Sequence, residues 1–360
     1  MPQEMTVSAN ISGNNYSACW KSPSNIALIK YWGKKGIQIP SNSSLSVTLD
    51  EAYTITRVSA DPVKAGSGPI VSFRFEGELN HSFGSRIQLF LKSIIPHFDF
   101  LKDMALNIES GNNFPHSAGI ASSASAMSAL SLCLCSIEEE IMGVQSDREA
   151  FLRKASYISR LGSGSACRSV YGNFAVWGKH SSIKNSADDY AVTLPFEPND
   201  LFTELHDTIL IVDPGTKKVS SSVGHNLMKG HVYAEARFSQ AEANLSSILI
   251  ALQQGDWETF ATIIENEALS LHAMMMTSKP GYVLMHPNSL KIIEKVIDYR
   301  KQSGLHVCFT LDAGPNVHLL YPERDSEKLK PLIEELKDFC FNRTSIYDKM
   351  GRGPVKLNCK

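Results

Sequence analysis

Much is missing from this 360-residue sequence, and each absence removes a class of function. Neither charge is in excess: 35 Lys and Arg face 37 Asp and Glu, a formal net charge of −2 with histidine neutral. So balanced a chain has no general field for nucleic acid or an anionic membrane, and any anion site must be built locally. No apolar run approaches the roughly twenty residues of a membrane-spanning helix. The N-terminal stretch MPQEMTVSANISGNNYSACW has neither a basic n-region nor an apolar h-region, so export is not expected. Cysteines number seven, at 19, 133, 135, 167, 308, 340 and 359, with no CxxC pair or zinc-ligand spacing. That pattern fits reduced thiols of a cytoplasmic protein without a metal site of its own. Also absent are the GxxxxGK[ST] phosphate loop and the HRD and DFG signatures, which removes the usual P-loop enzymes and the protein kinases.

What is present is an ordinary globular chain, 43% apolar and 20% charged, whose length predicts one bilobed unit or two domains. In the first half, Thr54–Ala60 and Ile70–Gly77 alternate with period two around a turn-rich DPVKAGSGP, which predicts an antiparallel pair. Ala118–Cys135 is almost wholly small or apolar, as a helix buried on every side would be. Ser146 and Glu149 have capping-box spacing at the head of an amphipathic helix that GSGS stops after Leu161. A short helix from Ser165, a strand at Asn173–Gly178 and a polar loop at Lys179–Asp189 follow. The second half changes rhythm. A strand at Asp207–Asp213 precedes helices near Tyr233–Gln254, Asp256–Met275 and Asn288–Ser303, then strands at His306–Asp312 and Asn316–Tyr321 and a helix at Ser326–Phe341. Such an order predicts an α+β lobe with helices on one face of an antiparallel sheet, beginning near Leu194–Asp200.

Five stretches carry chemistry. In SNIALIKYWGKK, Ser24 to Lys35, a strand-like apolar run holds Lys30 inside it and Lys34 just beyond, with Tyr31 and Trp32 between. Lysines so placed call for an anion. In NFPHSAGIASSASAMSAL, Asn113 to Leu130, Pro115, Gly119 and the small residues Ala121, Ser122 and Ser123 leave backbone N–H groups open at the start of a long helix, which suits phosphate. The structural alternative is close helix packing. In RLGSGSACRSVYGNFAVWG, Ser163 and Ser165 sit on a glycine-loosened turn with Arg168 beyond, a guanidinium fork for a carboxylate or phosphate. Its alternative is an arginine paired to a structural acid. FTLDAGPNVHLL puts Asp312 at a strand end before a glycine turn, as a base or as a turn cap. KKVSSSVGH, Lys217 to His225, adds hydroxyls and lysines in a loop.

Together these segments resemble the superfamily of galactokinase, homoserine kinase, mevalonate kinase and phosphomevalonate kinase, and within it the diphosphomevalonate decarboxylase family. NIALIKYWGK, NSSLSVTL, GSGSACRS and DAGPN carry the match, in the expected order. The resemblance implies a bilobed α+β fold, with an N-terminal lobe like domain 2 of ribosomal protein S5 over 1–198, a C-terminal ferredoxin-like lobe over 199–360, and the site in the cleft. It implies that ATP, with Mg2+, phosphorylates the 3-hydroxyl of (R)-5-diphosphomevalonate, after which phosphate and CO2 leave and isopentenyl diphosphate remains. On this resemblance Asp312 meets the substrate hydroxyl, Lys30 lies near it, and Arg168 holds the carboxylate. Ser163 and Ser165 are near the substrate, Ser221 is near the transferring phosphate, Tyr31 and Lys34 contact the diphosphate, and Gly119, Ser122 and Ser123 belong to the ATP-phosphate loop. A homodimer is common in the family. Two positions depart from its pattern: His116 stands where a small residue or Thr is usual, and His225 where Met is common.

Rival readings are a kinase of the same superfamily that stops at the 3-phosphate, a monophosphate decarboxylase, a serine hydrolase built on SSIK (Ser181 to Lys184), and a nucleic-acid binder. The hydrolase lacks SDN and KTG partners. The neutral charge opposes the binder.

Overall fold

A computed structural model describes residues 15–114, 120–215 and 219–359. Gly119 and His116 of the proposed phosphate loop, and Lys217 and Lys218, lie outside the described residues. The fold is α+β and bilobed.

The first lobe is organised by its two longest strands, Tyr16–Ile29 and Ser44–Pro62, which pair antiparallel with register shifts between Pro23 and Asn25 and between Ala27 and Ile29. Ser44–Pro62 has different neighbours along its other edge. Its first residues pair with Phe174–Trp177 and its last with Met104–Asn112. Ile70–Phe75 lies parallel to Met104–Asn112, so the antiparallel pair expected from its alternation with Thr54–Ala60 does not form. The later strand inserts between them. Alternation reports which face a strand buries and is silent about its neighbour.

Helix Ser122–Met142 crosses this sheet, its Ala124, Ser125, Ser128 and Ala129 fully buried. Small side chains let the helix approach closely enough for Ser128 to hydrogen-bond Ser22 at 2.7 Å, and Ser136 to take the Trp20 indole N–H at 3.0 Å. Gly143 ends it in the left-handed conformation. The next helix, Arg148–Gly162, is capped by Asp147, whose carboxylate accepts from the Ala150 N–H at 2.9 Å. The expected Ser146 cap is displaced by one residue. Ser146 instead donates its backbone N–H to Glu139, and Asp caps as well as Ser. A 3-10 segment, Gly164–Val170, follows.

The second lobe holds four antiparallel strands in the order Cys308–Thr310, Val317–Pro322, Leu205–Leu210, Ser345–Lys349. Numbered along the chain that order is 2-3-1-4, the split βαβ arrangement of ferredoxin-like sheets. Helices cover both of its faces rather than the one expected. Leu210, Phe309 and Leu319 pack with helices Pro287–Ser303 and Ser326–Leu336. Leu205, Ile209 and Leu320 join a core shared with helices Ala234–Gln254 and Trp257–Thr277 and with Ile26, Leu28 and Val47 of the first lobe. The helix pair Ala234–Gln254 and Trp257–Thr277 is thus common ground between the lobes.

The chain then returns. Val355–Leu357 pairs antiparallel with Cys19–Lys21, adding an edge strand to the first sheet. On the way Gly351 donates its N–H to Thr48 O at 2.8 Å and accepts from Asn173 N at 2.8 Å. A Cβ at Gly351 would sit 2.2 Å from the Leu49 carbonyl oxygen, a backbone atom that cannot swing aside. Gly351→Ala is therefore expected to destabilise the protein by about 1–3 kcal/mol, the usual range for overpacking. Urea denaturation would read this as a lower midpoint at unchanged slope; a variant as stable as the parent would mean that the returning tail packs loosely.

Candidate active site

A cleft of about 1030 Å³ opens between the lobes, at the upper end of the roughly 300–1,000 Å³ typical of small-molecule sites and so large enough for more than one small ligand. Lys30, Tyr31, Lys34, Ser122, Ser123, Ser163, Ser165, Arg168, Ser221 and Asp312 all line it. Of the residues proposed for the site, Gly119 lies outside the described residues.

Lys30 follows the end of the first strand, just past a register shift that turns the chain out of the sheet. The residue is 1% exposed. Its Nζ donates to Ala27 O at 2.7 Å and to Asp312 Oδ1 at 2.9 Å. Burial pulls its pKa below the ordinary lysine value, and Asp312 opposes that shift. Asp312 does not end the strand, which stops at Thr310; two more residues carry the chain into a turn that Gly314 closes with an N–H to Asp312 O at 2.7 Å. Asn316 anchors the far side of the turn by accepting from Val212 N at 2.8 Å and Asp213 N at 3.0 Å. His272 Nε2 donates to Asp312 O at 3.1 Å. Burial, the largest cause, lowers the His272 pKa to about 4, so the ring is neutral near pH 7.

Arg168 is almost wholly buried in the 3-10 segment. Its Nη1 donates to Ser44 Oγ at 2.7 Å, Nε to Ser46 Oγ at 3.0 Å and Nη2 to Asn25 Oδ1 at 3.3 Å. All three acceptors are neutral, and among the described residues no carboxylate lies within ion-pair distance of it. The structural alternative, an arginine neutralised by an acid, is therefore not what the fold contains. A guanidinium has five N–H donors. With three used, each terminal nitrogen keeps one, the number a bidentate carboxylate takes.

The hydroxyls lie between these charges and the long helix. Ser163, the residue after helix Arg148–Gly162, meets Ser123 with their Oγ atoms 3.3 Å apart. Helix Ser122–Met142 has no side-chain cap at its start, so its first N–H groups are directed to whatever lies beyond it. Tyr31 packs edge-on against Trp177 at 4.6 Å, and its buried hydroxyl has no hydrogen-bond partner among the described residues. A Cβ on Gly164 would fall 3.0 Å from that hydroxyl and 2.9 Å from Trp177, which is why glycine occupies this turn. Lys34 opens the two-residue strand Lys34–Lys35, which pairs antiparallel with Ile39–Pro40, and reaches Gln38 Oε1 at 3.4 Å. Ser221 begins a short helix, Ser221–Leu227, capped by Ser220. Beyond the hydroxyls the cleft becomes apolar, with Phe73, Phe75, Phe83, Phe90 and Met127 in its wall and Arg86 among them.

Three supporting groups hold the site through contacts that no sequence pattern marks. Glu267 is fully buried, accepts from the Lys30 backbone N–H at 2.8 Å and from Asn244 Nδ2 at 2.7 Å, and receives both terminal nitrogens of Arg237. Arg160 donates to Ile37 O at 2.8 Å and Gln38 O at 3.2 Å, which fixes the Lys34 hairpin. His225 takes the Gly33 N–H on Nδ1 at 3.0 Å. Each partner is more than a hundred residues away in sequence from the group it holds, so no local pattern marks it.

Two family profiles match: residues 22–191 match the diphosphomevalonate decarboxylase-like N-terminal domain, and residues 208–358 the mevalonate 5-diphosphate decarboxylase C-terminal domain. The diphosphomevalonate decarboxylase of Candida albicans is 32% identical over 337 residues, covering 88% of each chain. Diphosphomevalonate decarboxylase mvd1 of Aspergillus fumigatus is 31% identical over 336 residues, 89% of this chain and 80% of its own. Among solved structures, mevalonate diphosphate decarboxylase from Staphylococcus aureus superposes with a TM-score of 0.82 at 28% identity, covering 96% of this chain and 99% of that one. A second structure, of MDDEF in complex with MVAPP, AMPPCP and magnesium, gives 0.81 at 29% identity, covering 96% and 100%. The likeness runs through both lobes, and the chain belongs to the diphosphomevalonate decarboxylase family.

Proposed function

We propose that the protein decarboxylates (R)-5-diphosphomevalonate at the expense of ATP, releasing isopentenyl diphosphate, ADP, phosphate and CO2 through phosphorylation of the 3-hydroxyl. The observation that carries this reading is the conjunction, in one cleft, of the Lys30–Asp312 pair with a buried arginine that has only neutral partners. A base and a cation suit the phosphorylation of an alcohol, and a cation with two free donors suits a carboxylate.

In this mechanism Asp312 accepts or orients the proton of the 3-hydroxyl, and Lys30 stabilises the charge that develops there. Phosphoryl transfer relies on positioning and charge stabilisation more than on covalent help from the protein. The start of helix Ser122–Met142, with Ser122, Ser123 and Gly119, holds the nucleotide phosphates, and Ser221 approaches the group in transit. The aromatic wall at Phe73, Phe75 and Phe83 receives the base. Among the described residues no three acids, histidines or cysteines cluster to hold a metal. That donor set fits Mg2+ carried in on the phosphates, with the Ser122 and Ser123 hydroxyls as added oxygens. Bound there, the ion neutralises phosphate charge. Arg168 orients the carboxylate without changing chemically, Ser163 and Ser165 bracket the substrate, and Tyr31 and Lys34 hold its diphosphate. Loss of the 3-phosphate leaves cationic character at C3 that draws the electrons of the C1–C2 bond as CO2 departs. The division at 198/199 gives the nucleotide to the first lobe and the base to the second. Seven unpaired thiols support a cytoplasmic protein, and family habit supports a homodimer.

With diphosphomevalonate and ATP, ADP and CO2 are expected in equal amounts. ADP without CO2 would make the enzyme a kinase, and equal turnover of the monophosphate would remove the diphosphate preference. Asp312→Asn keeps size and most hydrogen bonding but removes basicity, so turnover should fall on the order of a hundredfold or more while ATP still binds. Near-normal turnover in a folded variant would end the role given to Asp312. Lys34→Ala should raise KM with kcat little changed, whereas Lys30→Ala should lower kcat too, because one acts on a remote group and the other at the reacting centre.

His272 also ties stability to pH. Its folded pKa, about 4, lies below the ordinary 6.5, so between those values the unfolded chain binds a proton that the native state does not. Stability contributed by the neutral ring is complete above about pH 6.5 and is lost as pH falls towards 4, at up to about 1.4 kcal/mol per pH unit. Urea midpoints measured from pH 7 to 4.5 should fall, and His272→Gln should flatten the slope; an unchanged slope would mean that His272 titrates normally.

A further inference from the structure

His225 is the departure from the family pattern that the mechanism above leaves unused, and its surroundings are specific. The residue lines the cleft and is 8% exposed. Its ring lies between two aromatic neighbours, 4.2 Å from Tyr31 and 4.6 Å from Trp32, tilted to each by less than 40°. The helix that bears it presses on the same indole: a Cβ on Gly224 would fall 2.4 Å from Trp32 and 2.6 Å from the Tyr282 hydroxyl. Imidazole position is therefore set by packing on both sides.

Its protonation is set as well. Nδ1 accepts the Gly33 N–H at 3.0 Å, so in the neutral ring the proton resides on Nε2. Burial first, and Lys34 second, lower the pKa to about 3, which keeps the ring neutral at physiological pH. Nε2 thus carries a hydrogen with no acceptor among the described residues. Gly33 adopts a φ of +101°, and a Cβ there would meet the Phe238 ring at 2.8 Å, so the turn that presents Lys34 is locked from two directions. Ser221 and His225, four residues apart on one helix, share a face.

We propose that His225 is a substrate contact, donating its Nε2–H to the phosphate end of the substrate beside Lys34. The assignment rests on the functional reading given above, and it explains why a neutral donor is paired with a cation there. A second full charge at this depth would be costly to bury, whereas a neutral N–H adds direction to the point charge of the lysine ammonium.

Two isosteric substitutions separate this role from a purely structural one. His225→Asn puts an acceptor near Nδ1 and can still take the Gly33 N–H, but it loses the distal donor. His225→Gln puts an amide near Nε2 and loses the acceptor. The substrate contact predicts that His225→Asn raises KM for diphosphomevalonate about tenfold, with kcat and KM for ATP within twofold of the parent, and that His225→Gln stays within about threefold throughout. Inorganic pyrophosphate, titrated calorimetrically, should bind the Asn variant about tenfold more weakly, a readout independent of turnover. The opposite order, Asn near normal and Gln impaired, would assign His225 to bracing Gly33 alone and overturn the proposal. If the Asn variant fails to fold, His225→Phe keeps the aromatic stack but removes both the distal donor and the Gly33 acceptor, so it is read against His225→Gln, which lacks only the acceptor; pyrophosphate affinity equal to the parent's in a folded Phe variant, or equally weakened in Phe and Gln, would also overturn the proposal. A parent enzyme that binds pyrophosphate with the predicted sensitivity to His225 but does not decarboxylate diphosphomevalonate would defeat the functional reading and leave the anion contact intact. A parent that binds neither would defeat both.

Discussion

The geometry of the cleft depends on one buried carboxylate. Glu267 sits on a helix of the second lobe, yet it accepts the backbone N–H of Lys30 in the first, at the point where the first strand leaves the sheet. That strand could not simply continue: the register slips between Ala27 and Ile29, and Lys30 N–H is released from the ladder. Left unpaired in the interior, the group would cost on the order of 1–3 kcal/mol. A carboxylate takes it instead, and Arg237 and Asn244 neutralise and complete that carboxylate. Removing one member of such a buried pair typically costs about 3–5 kcal/mol, because the other charge is left uncompensated. The contact fixes where the Lys30 side chain begins, and hence where its ammonium meets Asp312.

Above this anchor the cleft is arranged as cations short of anions. Lys30 has one carboxylate, Asp312, and Arg168 has none within ion-pair range among the described residues. Each is nearly inaccessible to water, so its field in the cleft is screened far less than a surface charge would be. Neutral hydroxyls hold Arg168 at a fixed angle without cancelling it. The net charge of the whole chain, −2, gives no hint of this. A bulk count averages over a surface, whereas the field that matters is set by a few desolvated groups and by the start of one long helix.

How much of this could be read from sequence follows the range of each interaction. The long helices of the second half were legible within a few residues because amphipathic periodicity is local, whereas the short helix Ser221–Leu227 was expected as a loop, and the residues proposed for the site could be named because SNIALIKYWGKK, GSGSACRS and DAGPN are contiguous strings. Partner choice was not legible. Ile70–Phe75 pairs with Met104–Asn112, a strand that lies a helix and a loop later in the chain, and nothing in its alternation could say so. Helices on both faces of the second sheet arise because the first lobe supplies a second surface to cover. The same reason hides the parts played by Glu267 and Arg160, and hides the contact with Gly33 made by His225, which the sequence marks only as a departure from the family pattern. Asp147 took the cap from Ser146 for a smaller reason: both residue types cap helices, and a one-residue shift is decided by the loop that leads in.

In the proposed mechanism the site serves two reactions with opposing demands, and the neutral surroundings of Arg168 suit that conflict. During phosphorylation, positive charge helps at the hydroxyl oxygen. During decarboxylation the carboxylate charge disappears from the substrate, so a cation that gripped it too strongly would stabilise the starting state more than the transition state and slow the step. Charge near the carboxylate is therefore useful for position and harmful in excess. In the proposed mechanism Arg168 meets both requirements through direction rather than strength: two planar donors remain for the carboxylate, while Ser44, Ser46 and Asn25 hold the guanidinium from behind. Lysine, a flexible point charge, could not be held from behind in that way, and the mechanism sets it instead at the oxygen that gains charge. The proposed distribution of the two cations, arginine against the group that leaves and lysine against the oxygen that is phosphorylated, follows from what each step does to charge.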